Sequence, residues 1–214
     1  VGFSFIDEKK ILYTAYPKLN YLPLEQAFED LKIPLAVTEC HYTATLRGLI
    51  QLGAIHEEIE SELTWLMIVL GETGAGFFMM NGARIEKMQE SPISVEMDDE
   101  SILAQFKDDF VQFCQYEIIN RVIVVDNTKR FIEAQIKEAI GFDNTVIFEQ
   151  NSETLESLGA YESKYPCSLE AIGGIFSTKD TVTPKLDFIQ NNIYESAESQ
   201  RKKDLVGFAL IGIG

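Results

Sequence analysis

The chain has 214 residues, sufficient for one large or two small domains, and 46% of them are hydrophobic, enough for a substantial core. The 18 Lys and Arg residues oppose 34 Asp and Glu residues, giving a formal net charge of −16 that repels phosphate backbones and argues against nucleic acid as a partner. Cys40, Cys114 and Cys167 lack metal-ligand spacing, which favours reduced, partly buried thiols in the cytosol.

Residues 1–60 predict a small α+β subdomain with the order β-β-α-β-α. Strand-like sequence runs from Phe3 to Ile6 and from Ile11 to Tyr16. A helix with Pro23 near its first turn follows, and a short strand at 35–37 precedes a second helix from Thr43 to Leu52. The predicted apolar face of the first helix consists of Leu24, Ala27, Phe28 and Leu31.

Residues 61–178 are predicted to form the main domain, built on a hairpin from Thr64 to Gly82. Its first strand is apolar at nearly every position, as in a central strand buried on both faces. The glycines between the strands allow a positive φ or the close approach of another backbone or an anion. Asn81-Gly82 predicts a tight turn into a third strand. The preceding acidic stretch, His56 to Glu62, is interpreted as a solvated linker or helix extension.

The rest of the main domain alternates helices and strands. Pro92 indicates that the third strand, from Ile85 to Val95, lies at a sheet edge. A meander followed by parallel crossovers predicts an α/β fold, a mixed sheet with helices on both faces in the ribonuclease H-like order. The predicted elements are a helix capped by Asp98 or Asp99, a strand at 122–125, a helix capped by Asn127 or Thr128, a strand at 145–148, and helical sequence from Glu153 to about Phe176.

The end of the chain has a different composition. Residues 179–204 are predicted to be a polar tail or linker, and residues 205–214 are an uncharged apolar run. This run is shorter than the roughly 20 residues that span a bilayer, but it follows Arg201-Lys202-Lys203, a charge placement typical of the cytoplasmic end of a membrane helix. Two interpretations remain, the start of a transmembrane helix and a buried terminal strand. Because Val1 begins directly in strand-like sequence, we expect a piece of a longer protein.

The sequence contains no motif that identifies a class of enzyme. A nuclease of the ribonuclease H type needs a carboxylate in its first strand to hold Mg²⁺, and Thr64 to Leu70 contains none. The turn with Gly71, Thr73 and Gly74 has the composition of a phosphate-binding hairpin, but it lacks the Lys-Ser/Thr pair and the following helix of a P-loop. Neither histidine has a partner at metal-ligand spacing, so no metal site and no catalytic residue is predicted.

Several segments resemble actin-like pilus assembly proteins of the PilM type and their type II secretion relative GspL. The small subdomain is similar in its segments 10–18, 31–37 and 46–50. The hairpin is similar to the family's second phosphate hairpin, and 121–126 with its following loop takes the place of the adenosine-side strand. The segment 166–175 resembles the closing helix. The resemblance covers roughly residues 10–190 and lies in the order of patterns.

The resemblance implies a cytoplasmic scaffold on the bacterial inner membrane that links pilus or secretion proteins through protein–protein contacts. The sequence also departs from the family in ways that weaken nucleotide binding. Val69 stands at the acidic position of the phosphate hairpin, and Asp126-Asn127-Thr128 replaces the expected Gly-Gly pair. The first ribonuclease H-like half is absent or reduced. We therefore expect a pseudo-ATPase without cofactor, in which Gly71, Thr73 and Gly74 are vestigial.

Two alternatives to the scaffold remain open at this point. One is an actin-like ATPase that binds ATP and Mg²⁺ at the hairpin. The other is a soluble, dimeric interaction domain unrelated to pili, with the apolar terminus buried. The candidate contact surfaces are the apolar residues 186–189 and the edge strand around Ser91-Pro92-Ile93.

Overall fold

A computed structural model describes residues 2–5, 11–14, 18–33, 40–94, 96–115, 117–128, 130–148, 168–176 and 183. The chain divides into two compact units, of which one includes the described residues up to Thr43 and the other extends from Ala44 to Thr183. This division groups most of the second predicted helix with the sheet, whereas the sequence pattern groups that helix with the N-terminal subdomain.

The N-terminal unit contains a β-hairpin and a helix. Strands β1 (Gly2–Phe5) and β2 (Ile11–Thr14) pair antiparallel, with Phe3 opposite Tyr13. Helix α1 (Lys18–Asp30) starts earlier than predicted, so that Pro23 lies inside it rather than in its first turn. The predicted apolar face of α1 is largely exposed, with Leu24 at 47% and Leu31 at 69% of full exposure. The strand predicted at 35–37 lies outside the described residues.

The larger unit is an α/β structure around a five-stranded mixed sheet with the order β5-β4-β3-β6-β7. The first three strands in the chain form an antiparallel meander, and the last two lie parallel to β3. Since β5 is an edge strand of this sheet and ends at Pro92, the sequence signal for an edge is confirmed. The strands are β3 (Thr64–Gly71), β4 (Gly74–Asn81), β5 (Arg84–Pro92), β6 (Val122–Asp126) and β7 (Thr145–Phe148).

The described helices of this unit agree in type with the sequence pattern, but the helix after β6 begins later than predicted. The part of the predicted helical sequence from Glu153 to Cys167 lies outside the described residues. Asp98 caps the longest helix by accepting a hydrogen bond of 2.8 Å from the amide of Ser101. The next helix begins at Glu133 after Ile132, so neither Asn127 nor Thr128 is its cap, because the intervening residues form a separate turn. The helices are α2 (His41–Gln51), α3 (His56–Glu60), α4 (Asp99–Cys114), α5 (Glu133–Ile140) and α6 (Leu169–Ile175).

The core forms around β3 and β4, which are buried along both faces as their apolar sequence predicts. On one face, alternate side chains of both strands pack with α4 and α5 around Phe77, Phe106 and Phe113. The side chains between them, including Trp65, Met67 and Phe78, are buried as well. Helix α4 contributes to this core a stripe of residues that recur at the spacing of one helix face, Ile102, Phe106, Phe110 and Phe113.

Helices α2 and α6 cross at backbone contact. A Cβ atom on Gly173 would lie 1.8 Å from the carbonyl oxygen of Ala44, and one on Gly48 would lie 2.4 Å from that of Leu169. Glycine is therefore required on both helices for this approach. The fully buried Arg47 of α2 also donates a hydrogen bond of 3.0 Å from Nη1 to the carbonyl oxygen of Gly173.

The acidic stretch before the sheet is not simply a solvated face. It forms the short helix α3, in which Glu58 is only 2% exposed and pairs with the guanidinium of Arg121. Charge patterning alone predicts a solvated segment here, because the counter-ion comes from a position 63 residues later in the chain.

The two described cysteines, Cys40 and Cys114, are half-buried, whereas Cys167 lies outside the described residues. Burial raises the pKa of the Cys114 thiol to about 11, against a smaller opposing effect of Lys87. Cys114 is therefore a thiol at neutral pH, which disfavours reactivity.

Across the ranges that the structure describes, no helix has the length and apolar character needed to cross a membrane. Apart from Thr183, the predicted polar tail with its residues 186–189 lies outside those ranges, as do the apolar residues 205–214. The two interpretations of the terminus therefore remain predictions.

Candidate functional site at the carboxyl edge of the sheet

The predicted phosphate hairpin is a tight turn between two paired strands. Gly71 pairs with Gly74, so that Glu72 and Thr73 alone connect β3 to β4. The left-handed conformation occurs at Gly82, with φ of 56°, and at neither Gly71 nor Gly74. A Cβ atom on Gly74 would lie 3.0 Å from the carbonyl oxygen of Ser91 in β5. The glycine at this position therefore permits the close approach of a neighbouring strand, and it does not serve to adopt a positive φ.

The hairpin turn shares one edge of the sheet with the loop that follows β6. Leu70 of β3 is the parallel neighbour of Asp126, and the amide of Asn127 donates a hydrogen bond of 3.0 Å to the carbonyl oxygen of Leu70. Because β3, β6 and β7 are parallel, all three have their carboxyl ends at this edge. Ligands of open α/β sheets bind at this kind of edge.

The loop after β6 forms a turn held by an aspartate. Oδ1 of Asp126 accepts hydrogen bonds from the amide of Thr128 at 2.8 Å and from its hydroxyl at 2.7 Å. The Thr128 hydroxyl oxygen in turn accepts a bond of 3.0 Å from the amide of Arg130. Such local bonds favour a turn over a helix start, which explains why α5 begins only at Glu133.

Glu170 joins three elements at the same edge. Its Oε1 accepts hydrogen bonds from the hydroxyl of Thr45 in α2, at 3.1 Å, and from the side-chain amide of Asn127, at 2.9 Å. Partial burial acts to raise the pKa of Glu170. Hydrogen bonds from its own backbone and from Ser168, Asn127 and Thr45 outweigh that effect and hold the pKa below the usual value. Glu170 is therefore ionised at neutral pH.

A cavity of about 310 Å³ opens between the ends of β6 and β7 and the start of α6. Among the described residues, its lining includes the acidic residues Asp126 and Glu170 and the polar residues Asn127 and Ser168. The apolar lining residues are Val125, Phe148 and Leu169. This volume is near the lower end of the roughly 300–1,000 Å³ typical of small-molecule sites.

The described part of the cavity lining is acidic. It includes two acidic residues and no basic one, so it offers no cationic side chain to a phosphate. On β3, the position expected to be acidic is Val69, which is 3% exposed and lies between Gly76 and Val125. Among the described residues, no group of three or more His, Cys, Asp or Glu side chains could hold a metal ion.

The structure brings the predicted Gly71, Thr73 and Gly74 to the edge that bears the cavity, but none of them is among its lining residues. Asp126 and Glu170 are not among the site residues predicted from the sequence. Asp126 carried a usable signal, since a carboxylate directly after a buried strand falls at the binding edge of a parallel sheet. No local sequence signal marks Glu170, because its partner Thr45 is 125 residues away in the chain and its partner Asn127 is 43 residues away.

Comparisons with known proteins give matches among solved structures. No protein-family model matches the chain, and no curated protein matches it. Among solved structures, the chain is similar to one described as a PilM-PilN type IV pilus biogenesis complex, with 13% sequence identity and a TM-score of 0.48. The match covers 72% of this chain and 53% of that one, so this chain corresponds to about half the length of the solved one.

Proposed function

We propose that the protein is a non-catalytic scaffold of a type IV pilus or type II secretion assembly platform, acting through protein–protein contacts. The observation that carries the non-catalytic part is the acidic chemistry of the carboxyl edge. Glu170 is ionised there, the described residues of the cavity lining include no basic side chain, and Val69 puts an apolar side chain where a metal-binding hairpin needs a carboxylate. The phosphates of a nucleotide would meet no cationic side chain among these lining residues.

The ribonuclease H-like, actin-type assignment of the main domain is part of this proposal. Its support is the strand order β5-β4-β3-β6-β7, with an antiparallel meander followed by two parallel strands. The degenerate hairpin at Gly71–Gly74 fits a fold that has kept the turn geometry of an ATPase without its charged groups.

The pilus or secretion context is proposed from the sequence resemblance. On this basis the partners are other inner-membrane assembly proteins, the location is the cytoplasmic side of the bacterial inner membrane, and residues 205–214 begin a membrane anchor. The net charge of −16 suits basic protein partners and disfavours nucleic acid. Deletion of the gene from the source cell is expected to abolish pilus assembly or type II secretion. Normal function of both systems in the deletion strain would contradict this context.

Isothermal titration with Mg-ATP separates the scaffold from the ATPase alternative. We expect no binding heat at micromolar to low millimolar nucleotide, for the wild-type chain and for Thr73→Ala alike. Micromolar binding that weakens in Thr73→Ala would replace the scaffold by an ATP-binding protein. Glu72→Gln, a change at the neighbouring turn residue, controls for altered charge at the hairpin.

The dimeric alternative is tested by light scattering on the full chain and on a variant lacking residues 205–214. An anchor segment predicts better solubility and unchanged folding after truncation. Loss of the folded state, together with a dimer mass for the full chain, would favour the soluble dimeric domain.

A further inference from the structure

We infer that the carboxyl-edge cavity binds an arginine side chain of a partner polypeptide. The inference deepens the proposed scaffold role and rests on it only for the ligand being part of a protein. It is carried by the shape of the cavity and by the chemistry of its lining residues.

The acidic residues of the cavity lining favour a cationic ligand. Every hydrogen bond that the structure shows to Glu170 comes from a neutral donor, namely the Thr45 hydroxyl, the Asn127 amide, Ser168 or its own backbone. Its negative charge is therefore oriented by its partners but not neutralised by them. Asp126, whose Oδ1 accepts hydrogen bonds from the amide and hydroxyl of Thr128, is a second acidic residue of the same lining. A positive group placed between the two would gain from both, in a setting partly shielded from water.

The apolar residues of the lining favour a cation on an aliphatic stem over an inorganic ion. Phe148 is a partly exposed apolar residue of the lining, and its ring offers surface to an aliphatic stem that an inorganic ion would leave unused. Val125 and Leu169 also line the cavity, but each is only 2% exposed and adds little accessible surface. A planar guanidinium stacks on an aromatic ring and donates in parallel to a carboxylate, which an ammonium group does not match. The cavity volume of about 310 Å³ suits one long side chain rather than a whole nucleotide.

The experiment is a titration of the full ¹⁵N-labelled chain with N-acetyl-arginine amide, followed by amide chemical shifts. N-acetyl-lysine amide and AMP serve as competing probes. We expect saturable shifts at residues 125–128 and 168–171, with a dissociation constant on the order of 1 mM and weaker binding of the lysine probe. Glu170→Gln and Asp126→Asn should each weaken binding about threefold to fivefold. Glu57→Gln removes an equal charge at an exposed position of α3, and it should leave binding of the arginine probe unchanged.

Absence of saturable shifts at these residues, equal weakening by Glu57→Gln, or tighter binding of AMP would each overturn the inference. Should Glu170→Gln fail to fold, Asp126→Asn gives the same readout, because an asparagine keeps the oxygen that Thr128 requires. The two proposals fail separately. If neither the arginine probe nor Mg-ATP binds, only the arginine site is contradicted. Micromolar binding of Mg-ATP would instead contradict the scaffold role.

Discussion

The two ends of the central sheet each hold a glutamate out of full contact with water, and they do so in opposite ways. At the amino end, Glu58 is buried against the cation Arg121, and its Oε2 has no hydrogen-bond partner. At the carboxyl end, Glu170 is half-buried and receives hydrogen bonds from neutral donors beside a cavity. The charge of Glu58 is neutralised by Arg121 at a position closed to solvent, so this pair supports the fold. The charge of Glu170 is oriented by neutral donors beside a cavity, so it is available to a ligand.

The largest expected effect is at the amino end. Arg121→Met leaves the buried Glu58 carboxylate without its counter-ion, and we expect unfolding to become easier by about 3–5 kcal/mol. Urea denaturation followed by circular dichroism measures the change. The double variant Glu58→Leu/Arg121→Met should recover most of the loss. If the single and double variants are equally destabilised, the pair is not the stabilising feature of this end.

The next effect concerns the helix crossing that positions Glu170. Gly173→Ala places a methyl group 1.8 Å from the carbonyl oxygen of Ala44, so α2 and α6 must separate at a cost of about 2–3 kcal/mol. Gly174→Ala is the matched control, because a methyl group there meets no atom within 4 Å and alanine favours the helix by about 1 kcal/mol. Thermal unfolding of both variants should move in opposite directions. Equal shifts would mean that the crossing is not tightly packed.

The smallest effect is at the carboxyl end. Glu170→Gln keeps an acceptor oxygen for Thr45 and Asn127 but loses the charge, with an expected cost of about 1 kcal/mol at neutral pH. Because the pKa of Glu170 is lowered in the folded state, its contribution is present above the unfolded pKa and is lost as the pH falls through the folded pKa.

Wild-type stability should therefore decline more steeply than that of Glu170→Gln as the solution is acidified below about pH 4.5, the ordinary range of a glutamate. Denaturation midpoints measured between neutral pH and pH 3 test this difference. Parallel pH profiles for the two proteins would show that the carboxylate gains nothing from its donors, and the contrast between the two ends would be lost.

Much of the larger unit was predictable from local sequence. Four features reflect a local preference or a burial pattern that neighbouring residues share. They are the continuous apolar run of β3, the Asn81-Gly82 turn, the edge position marked by Pro92, and the stripe at 102, 106, 110 and 113. The start of α5 was mispredicted because Asp126 competes for the backbone at Thr128, and two caps were plausible from sequence. The exposed face of α1 shows the same limit, since an apolar stripe predicts burial only where another element covers it.

The sequence by itself determined the type and order of the sheet elements, the acidic charge and the absence of a carboxylate at Val69, because each of these depends on residues close together in the chain. Only the tertiary structure decided which acidic residues matter. Glu58 meets Arg121 across 63 residues, and Glu170 meets Thr45 across 125. Long-range pairs of this kind depend on how the elements pack, so composition and periodicity cannot distinguish a buried or oriented carboxylate from the many solvated ones around it.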